Sequence, residues 1–399
     1  MEVSADPLRP GKEQNGVGER HRSGVADPLL PRAAARGAGP LARSPGSSPG
    51  GTEPGGTEPG GTEPGGPPKR AEFGVGERPR PERAPRPTVP YGIIEAVTRH
   101  LMLLDTASLY FRAYFGVPES VRAPDGTPVN AVRGLLDFIA RLVRDHRPDT
   151  LVACMDADWR PQWRVDLIPT YKTHRVAEES TGSEQVPDTL NPQVPVIEAA
   201  LDAIGIAQVG VAGYEADDVI GTLTARASGP VDIVTGDRDL YQLVSDVRGV
   251  RVLYPVKGVG SLRIVDEAVL REQYGVDGPG YADLALLRGD PSDGLPGVPG
   301  IGEKTAAKLL AAHGDLSGIM TAVDDPSAKL SPTQRRRLAE AREYVSAASK
   351  VVRVAEDVPL PPLDATLPES PRHPAALQDL DTRWNLGGPL QRLLAALRG

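Results

Sequence analysis

Three carboxylates stand within four positions of this chain, in Glu215-Ala216-Asp217-Asp218, directly before a helical run. Carboxylates this close repel one another and raise each other's pKa, so a fold keeps them only where water or cations lie among them. Other acids follow short apolar runs or stand in glycine-containing turns: Asp105, Asp156, Asp237, Asp239, Asp290 and Asp293. One such aspartate alone would be read as a helix N-cap. Nine acids in these settings indicate a site for hard divalent cations, which prefer oxygen ligands.

The first hundred residues differ in composition from the rest. They are rich in Pro, Gly, Arg and Glu, and residues 50–64 are three tandem copies of Gly-Gly-Thr-Glu-Pro. Such a segment cannot bury enough apolar surface to offset the entropy of ordering it. We therefore predict a disordered extension over residues 1–98, with a true start near Met102 as the alternative. It lacks the apolar core of a secretion signal, and no stretch of the chain reaches the length of a membrane span, so no membrane partner is expected.

Cysteine content and charge bear on the compartment and the partner. The single cysteine, Cys154, lies in the apolar run 151–155 and is predicted to be buried. A chain that cannot form an intrachain disulfide suits the reducing cytoplasm, here the nucleoid. The formal net charge of −8 argues against a nucleic-acid partner only if it is taken alone. Bound metal would neutralise the acids, and basic residues cluster at 160–175 and 335–337, so local patches outweigh the total.

Short apolar runs alternate with helical patterns between residues 99 and 279. The patterns predict strands at 101–104, 150–155, 206–209 and 231–234 and helices at 128–144, 192–204 and 216–227. This alternation is typical of βαβ units and predicts a mostly parallel sheet. Asp105, Asp156 and Asp237 each follow a strand. Because sites in open α/β sheets form beyond the carboxyl ends of the strands, we expect these acids in one crevice.

Only helical patterns occur after about residue 280. They predict helices at 281–287, 303–312, 315–322, 332–348 and 390–397. We divide this part into a helical subdomain (280–355) and a C-terminal tail (356–399). The first two helices flank a glycine-rich turn that resembles a helix-hairpin-helix motif, which holds a duplex backbone without reading its sequence. There Gly300 and Gly302 allow close approach to a phosphate, and Lys304 adds a positive charge at the start of the next helix.

Five motifs stand in the order found in the 5′ nuclease family. They are Leu103-Leu104-Asp105 with Tyr110 and Arg112; Trp163-Arg164 with Tyr171-Lys172-Thr173-His174-Arg175; residues 213–219; residues 235–243; and residues 289–305. Over residues 101–355 the chain thus resembles this family, which comprises the N-terminal domain of bacterial DNA polymerase I, phage 5′–3′ exonucleases and flap endonucleases. The resemblance implies a PIN-like, three-layer α/β fold with a mostly parallel sheet. It also implies a helical arch over the site and an appended helix-hairpin-helix subdomain.

The resemblance further implies two metal groups that hold two Mg²⁺ or Mn²⁺ ions. The first would be Asp105, Asp156, Glu215 and Asp217, with Asp218 beside them, and the second Asp237, Asp239, Asp290 and Asp293. Such ions activate water for in-line attack on a phosphodiester, so Asp105 and Asp237 count as catalytic. Lys172 and Arg175 would meet the scissile phosphate from the arch, and Arg112 would contact a phosphate. Tyr171 would stack on a base or pack internally, and the hairpin would bind K⁺ through backbone carbonyls.

The implied function is a free-standing, monomeric 5′–3′ exonuclease and flap endonuclease that acts in replication and repair. Its substrates would be double-stranded DNA with 5′ ends or flaps and RNA primers. Two alternatives are a DNA-binding protein whose catalysis has lapsed and an RNA nuclease of the PIN-domain type. The chain departs from the family pattern twice, with Thr106 where Gly is common and Gly294 where Asn is usual, and the second change is expected to loosen the loop that holds Asp293.

Overall fold

A computed structural model describes residues 99–178, 183–184 and 186–399. The predicted disordered extension, residues 1–98, lies outside these residues. The strands are β1 (Leu101–Asp105), β2 (Thr150–Cys154), β3 (Val176–Glu178), β4 (Ser183–Glu184), β5 (Ala207–Val209), β6 (Val231–Val234), β7 (Val250–Pro255) and β8 (Leu262–Val265). The helices are α1 (Thr106–Gly116), α2 (Asn130–His146), α3 (Gln162–Leu167), α4 (Val194–Ile204), α5 (Ala216–Arg226), α6 (Glu267–Tyr274), α7 (Gly278–Arg288), α8 (Glu303–His313), α9 (Leu316–Asp324), α10 (Pro332–Glu340), α11 (Arg342–Val351), α12 (Pro374–Trp384) and α13 (Gly387–Leu397).

The main sheet has six strands in the order β5-β2-β1-β6-β7-β8. Its strands pair in parallel except β7 and β8, which pair antiparallel. The predicted mostly parallel sheet is therefore confirmed. Asp105 is in register with Cys154 on β2, and Leu104 is in register with Val234 on β6. The carboxyl ends of the three central strands thus lie side by side, which is the edge where the acids follow.

The central strands β2 and β6 are buried along their whole length, as their mostly apolar sequences predict. Because side chains alternate across a strand, Leu103 belongs to one hydrophobic core and Met102 and Leu104 to the other. The first core includes residues of α5, α7 and α8, and the second includes residues of α2, α4 and α13. Helices cover both faces of the sheet, and the predicted three-layer arrangement is confirmed. Cys154 is free and fully buried in the first core.

The C-terminal segment, which the sequence set apart as a tail, is part of the α/β body. Leu151 on β2 donates its backbone N–H to the carbonyl of Ala365 at 2.9 Å. Helix α13 lies along α2, where Leu390 and Leu393 are buried in the second core, and Arg392 pairs with Asp137 at 2.7 Å. The amphipathic spacing of α13 could be read from the sequence, but its packing against α2 could not.

Three further elements differ from the sequence-based expectations. The helix expected over 332–348 is two helices, α10 and α11, because the chain bends at the buried Ala341 (φ −90°, ψ 7°). Helices α1, α6 and α12 and the hairpin of β7 and β8 were not predicted individually. Within the described part of the arch segment, a 3₁₀ turn (Thr173–Arg175) and the β3–β4 hairpin stand where a helical arch was expected. That segment has no apolar stripe at helical spacing to stabilise a helix; residues 179–182 and 185 lie outside the described part.

Across residues 99–178, 183–184 and 186–399, no helix combines the length and the apolar character that a bilayer crossing requires.

Candidate active site

The carboxyl ends of β1 and β6 are joined by a chain of hydrogen bonds. Asp105 ends β1 and caps α1, where its Oδ1 accepts the Ser108 N–H at 3.2 Å. Its Oδ2 accepts the Thr235 hydroxyl at 2.6 Å. The Thr235 oxygen in turn accepts the backbone N–H of Asp237 at 2.8 Å. Thr235 therefore holds Asp105 and Asp237 beside each other, although no motif gave it a role.

The other predicted acids reach the same edge from β2, α5 and the loop after β6. Asp156 follows β2, and its Oδ1 accepts the backbone N–H of Ala216 at 2.7 Å, which fixes the start of α5 beside the strand end. Asp217 stands in the first turn of α5. Asp237 accepts the backbone N–H of Asp239 at 2.8 Å. The crevice is thus formed by the ends of β1, β2 and β6 and the start of α5, as the sequence pattern predicted.

Burial and neighbouring negative charge both act on the carboxylates of the first group. Burial raises the pKa of Asp105 to about 7, with Asp156 and Asp237 adding to the shift, although the hydrogen bond from Thr235 opposes it. Burial also raises the pKa of Asp217 well above its usual range, and the charges of Asp237 and Asp105 add to this.

The second group of acids repel one another in the same way. Burial raises the pKa of Asp239 well above its usual range, and Asp237, Asp293 and Asp290 contribute in that order. Asp290 and Asp293 stand in one turn, closed by the paired backbone hydrogen bonds of Asp290 and Leu295. The structure therefore brings the acids of the two predicted groups into one electrostatic cluster.

The donor set of this cluster suits a hard divalent cation. Every donor is a carboxylate oxygen, the ligand that Mg²⁺ prefers, and the repulsion just described is relieved by positive charge. No three acidic, histidine or cysteine side chains in the described part of the chain stand as a ready-made cage. Mg²⁺ is commonly bound by only one or two carboxylates together with water and phosphate oxygens. The residues present therefore fit divalent cations that phosphate oxygens help to hold.

Glu215 accepts from three side chains of the second sequence motif. Arg164 and Lys172 both form ion pairs with its carboxylate, and the Tyr171 hydroxyl donates to it at 2.8 Å. The Tyr171 side chain is only 4% exposed. Of the two roles considered for it, the structure supports internal packing, so its assignment as a base-stacking DNA contact is wrong for this structure.

Asp218 is engaged differently from its neighbour Asp217. It is fully buried, and its two oxygens accept from Arg164 Nη1 at 2.8 Å and Arg164 Nη2 at 2.7 Å. It also accepts the backbone N–H groups of Ala355 at 2.8 Å and of Glu215 at 3.2 Å. The placement of Asp218 among the metal ligands is therefore corrected, because both oxygens are committed inside the protein.

Arg164 belongs to the second sequence motif, which predicted no role for it. It is buried, and its guanidinium lies 4.4 Å from the centroid of the Trp163 ring. Its Nε donates to the carbonyl of Val351 at the end of α11 at 3.1 Å. An arginine between Trp163 and Val165 is a usable signal, since a charge that must be buried needs acidic partners. Arg164 thus ties the start of α5 to the helical subdomain.

The remaining predicted cations lie around the same crevice. Arg175 donates to the carbonyl of Ser292 at 2.8 Å and to Asp293 at 3.1 Å. Arg112 is half-buried, 5.8 Å from the centroid of the Tyr254 ring, and packs against Gly236. Its buried Nη1 has no hydrogen-bond partner among the described residues. An unpaired guanidinium nitrogen beside Gly236 has the chemistry to meet a phosphate oxygen.

The glycine-rich turn lies between α7 and α8, as predicted. Gly300 has φ +72°, and its carbonyl accepts from Arg337 Nη1 at 3.2 Å. Gly302 is the N-cap residue of α8, with open space where a Cβ would stand, and Lys304 is exposed in the first turn. A cationic side chain from α10 therefore already occupies a hairpin carbonyl where K⁺ was considered. The basic run 335–337, which includes Arg337, was the sequence feature that could have indicated this contact.

Comparison with known proteins agrees with this architecture. Residues 100–275 match the family model of the 5′-3′ exonuclease N-terminal resolvase-like domain, and residues 276–373 match that of the 5′-3′ exonuclease C-terminal SAM fold. A 5′-3′ exonuclease of Streptomyces coelicolor is 78% identical over 299 residues, which cover 74% of this chain and 99% of the relative. A 5′-3′ exonuclease of Mycobacterium tuberculosis is 51% identical, over 74% of this chain and 97% of the relative.

More distant relatives extend the comparison. DNA polymerase I of Mycobacterium bovis is 41% identical over 272 residues, which cover 67% of this chain and 28% of that protein. The crystal structure of the T5 D15 protein, co-crystallised with metal ions, aligns with a TM-score of 0.50 and 18% identity over 75% of this chain and 100% of the other, a likeness of fold. The fold and the site define a nuclease of the PIN-like class. The chain belongs to the 5′–3′ exonuclease family.

Proposed function

We propose that this chain is a metal-dependent 5′–3′ exonuclease and flap endonuclease that hydrolyses phosphodiester bonds in double-stranded DNA with 5′ ends or flaps and in RNA primers. We further propose that it acts as a monomer in replication and repair, in the cytoplasm at the nucleoid. One observation carries the proposal above the others. The acids of two predicted groups gather at the carboxyl edge of the sheet, and Lys172 and Arg175 stand beside them.

The residues of the crevice divide between cation binding and phosphate binding. Asp105, Asp156 and Asp217 would hold one Mg²⁺ or Mn²⁺, with Glu215 beside them held by its ion pairs to Arg164 and Lys172. Asp237, Asp239, Asp290 and Asp293 would hold another. When bound, such ions supply an activated water and stabilise charge on the phosphate. Lys172 and Arg175 place an ammonium and a guanidinium in the same crevice, where they can stabilise negative charge that develops on a phosphodiester.

A second surface would hold the duplex away from the crevice. The turn at 297–302 presents glycines and the start of α8, and Lys304 and Arg337 add positive charge. Such a surface binds a phosphate backbone without reading sequence. K⁺ would fit here only through carbonyls other than that of Gly300, which accepts from Arg337.

The proposal is tested with a 5′-flap duplex labelled at its 5′ end, incubated with the protein and Mn²⁺, with and without EDTA. We expect cleavage with Mn²⁺ and none with EDTA. Asp237→Asn should abolish cleavage but keep duplex binding, and Lys172→Ala should slow cleavage by about 10²–10³-fold, as for loss of a charge-stabilising donor. Asp379→Asn and Lys257→Ala, at exposed positions on other surfaces, are the matched controls.

The same assay separates the alternatives. Flap binding without metal-dependent cleavage would support the binding protein whose catalysis has lapsed. Metal-dependent cleavage of single-stranded RNA, but not of flaps, would support a PIN-type RNA nuclease. Full activity in Asp237→Asn would remove that residue from the proposed metal group.

A further inference from the structure

Two segments that carry predicted functional residues are joined by direct contacts. We call residues 170–175, which contain Lys172 and Arg175, the lysine segment, and residues 290–295, which contain Asp290 and Asp293, the aspartate turn. The backbone N–H of Lys172 donates to the carbonyl of Asp293 at 3.0 Å. The Thr170 hydroxyl donates to the carbonyl of Gly294 at 2.8 Å. A phosphate-binding segment and a metal-binding turn thus form one hydrogen-bonded unit.

Gly294 makes this close contact possible. Its φ is +71°, a conformation that favours glycine. A Cβ at this position would overlap the carbonyl oxygen of Thr170 and would stand 3.0 Å from its carbonyl carbon. The departure from the common Asn was expected to loosen the loop. In the structure it has the opposite effect, because Gly294 lets the lysine segment lie directly on the turn.

The backbone of the lysine segment needs such support. Lys172 has φ +49°, in the left-handed region that non-glycine residues rarely adopt. A backbone in such a conformation persists where its surroundings hold it. Arg160 contributes from the other side, because it donates to the carbonyl of Tyr171 at 2.6 Å and to that of Pro169 at 3.2 Å. The ammonium of Lys172 is therefore directed at Glu215 by contacts that lie outside the acid cluster.

We propose that Thr170 and Gly294 are positioning residues, which fix the lysine segment against the aspartate turn and so set the distance between the Lys172 ammonium and the acids around Asp293. This inference rests on the proposed nuclease function. Neither residue touches the reacting atoms. Their contact makes the placement of the phosphate-binding cation and of the metal-binding carboxylates interdependent.

Two pairs of variants test the proposal. Gly294→Asn keeps a residue that tolerates positive φ but adds the Cβ that meets Thr170. Gly126→Asn makes the same change at φ +92° in open space and is its control. Thr170→Val removes the exposed hydroxyl, and Thr170→Ser retains it. Because residue 170 is exposed, the valine variant should fold even if Gly294→Asn does not.

Two measurements are made on the full chain: the single-turnover rate of flap cleavage at saturating protein, and the Kd for Mn²⁺ by calorimetry without DNA. In Gly294→Asn we expect the rate to fall about 100-fold, the size of effect that a displacement of about 1 Å produces. The Kd for Mn²⁺ should rise about tenfold or more, as when a residue that supports a metal ligand is lost. Thr170→Val should lose about five- to tenfold in rate, the equivalent of one hydrogen bond. Flap affinity should stay unchanged, and Thr170→Ser and Gly126→Asn should behave as wild type.

The outcomes separate this inference from the proposed function. If the wild-type chain cleaves flaps and Gly294→Asn matches Gly126→Asn in both rate and Mn²⁺ affinity, the positioning role is overturned and the nuclease function stands. If the wild-type chain binds Mn²⁺ but cleaves nothing, the proposed function fails, and the Mn²⁺ affinities alone decide the positioning role. If the wild-type chain binds no Mn²⁺, both are overturned. An equal loss of cleavage rate in Thr170→Val and Thr170→Ser would also overturn the positioning role, because the hydroxyl would then be irrelevant.

Discussion

The contrast between Asp217 and Asp218 yields a sharp prediction, because adjacent acids of one helix should respond oppositely to the same change. Asp218 is fully buried and holds both guanidinium nitrogens of Arg164 and the backbone N–H of Ala355. Removing one partner of a buried ion pair costs about 3–5 kcal/mol, since the other charge is left without compensation. Asp218→Asn should therefore lower the free energy of unfolding by about 3 kcal/mol, the low end, because Arg164 keeps its pair with Glu215.

The same substitution at Asp217 is the matched control. Burial and the charges of Asp237 and Asp105 raise the pKa of Asp217 well above its usual range, so its ionised form is unfavourable in the metal-free protein. Asp217→Asn should leave stability in EDTA unchanged or increase it. It should instead reduce the rise in melting temperature that Mg²⁺ or Mn²⁺ produces in the wild-type chain, because it removes a predicted ligand.

Thermal melts with EDTA and with Mg²⁺ measure both effects. A body of this size shifts by on the order of 2 °C per kcal/mol, so Asp218→Asn should melt roughly 6 °C or more below wild type in EDTA. A double-mutant cycle with Arg164→Met should show a coupling energy on the order of 1 kcal/mol or more. If Asp218→Asn melts like wild type in EDTA and loses the Mg²⁺ response, Asp218 is a metal ligand and the internal role assigned to it is wrong.

Three further predictions concern the rest of the molecule. First, Mg²⁺ should raise the melting temperature of the wild-type chain by mass action, which stabilises the fold by about 2.7 kcal/mol at 100 times the Kd. Asp239→Asn should reduce this rise. An identical rise in that variant would exclude Asp239 as a ligand. Second, burial would raise the pKa of Asp232, but hydrogen bonds from His100 and Arg251 hold it below the ordinary 3.8; Asp232 then stabilises the fold above about pH 4 and loses this effect as the pH falls through its lower folded-state value. Urea titrations should show Asp232→Asn less stable by about 1–3 kcal/mol at pH 6, with the gap closing toward pH 3, and a gap independent of pH would contradict the assignment. Third, deletion of residues 387–399 exposes the face of α2 that Leu390 and Leu393 cover. The lost burial costs about 1.5–3 kcal/mol of stability for each leucine. Thermal melts followed by circular dichroism should show this loss, whereas removal of Arg398 and Gly399 alone should have little effect.

The position of most predicted acids could be foreseen because it follows from topology. Asp105 and Asp156 come directly after runs of four and five apolar residues, and Asp237 follows the short strand β6 after Thr235 and Gly236. Such strands are buried and parallel, so their carboxyl ends meet at one edge. Pairing order was not needed for that prediction, because any parallel arrangement of these strands places their ends together. The sheet order and the hairpin of β7 and β8 depend on long-range pairing and could not be read from the sequence.

The error at Asp218 has a geometric cause. Successive residues of an α-helix are rotated by about 100°, so Asp217 and Asp218 cannot both face the crevice from the first turn of α5. The charges of Asp237 and Asp105 act on Asp217, whereas Asp218 is hydrogen-bonded to the buried Arg164. The family resemblance placed Asp218 beside the metal ligands but did not indicate which way its side chain points. Because of this rotation, Asp217 is the better candidate for the crevice and Asp218 for the protein interior.

The acids of this site fall into two classes according to the charges that already surround them. Glu215, Asp218 and Asp293 have cationic partners inside the protein in Lys172, Arg164 and Arg175. The pKa values of Asp105, Asp217 and Asp239 are raised by burial first, and most of the other charges acting on them are carboxylates. The fold therefore supplies internal cations for Glu215, Asp218 and Asp293 but leaves the charge of Asp105, Asp217 and Asp239 largely uncompensated. Since clustered carboxylates persist only where positive charge reaches them, the ions should bind most strongly at Asp105, Asp217 and Asp239. Lys172 and Arg175 are then the cations placed to meet the phosphate, whereas Arg164 stays buried with Asp218.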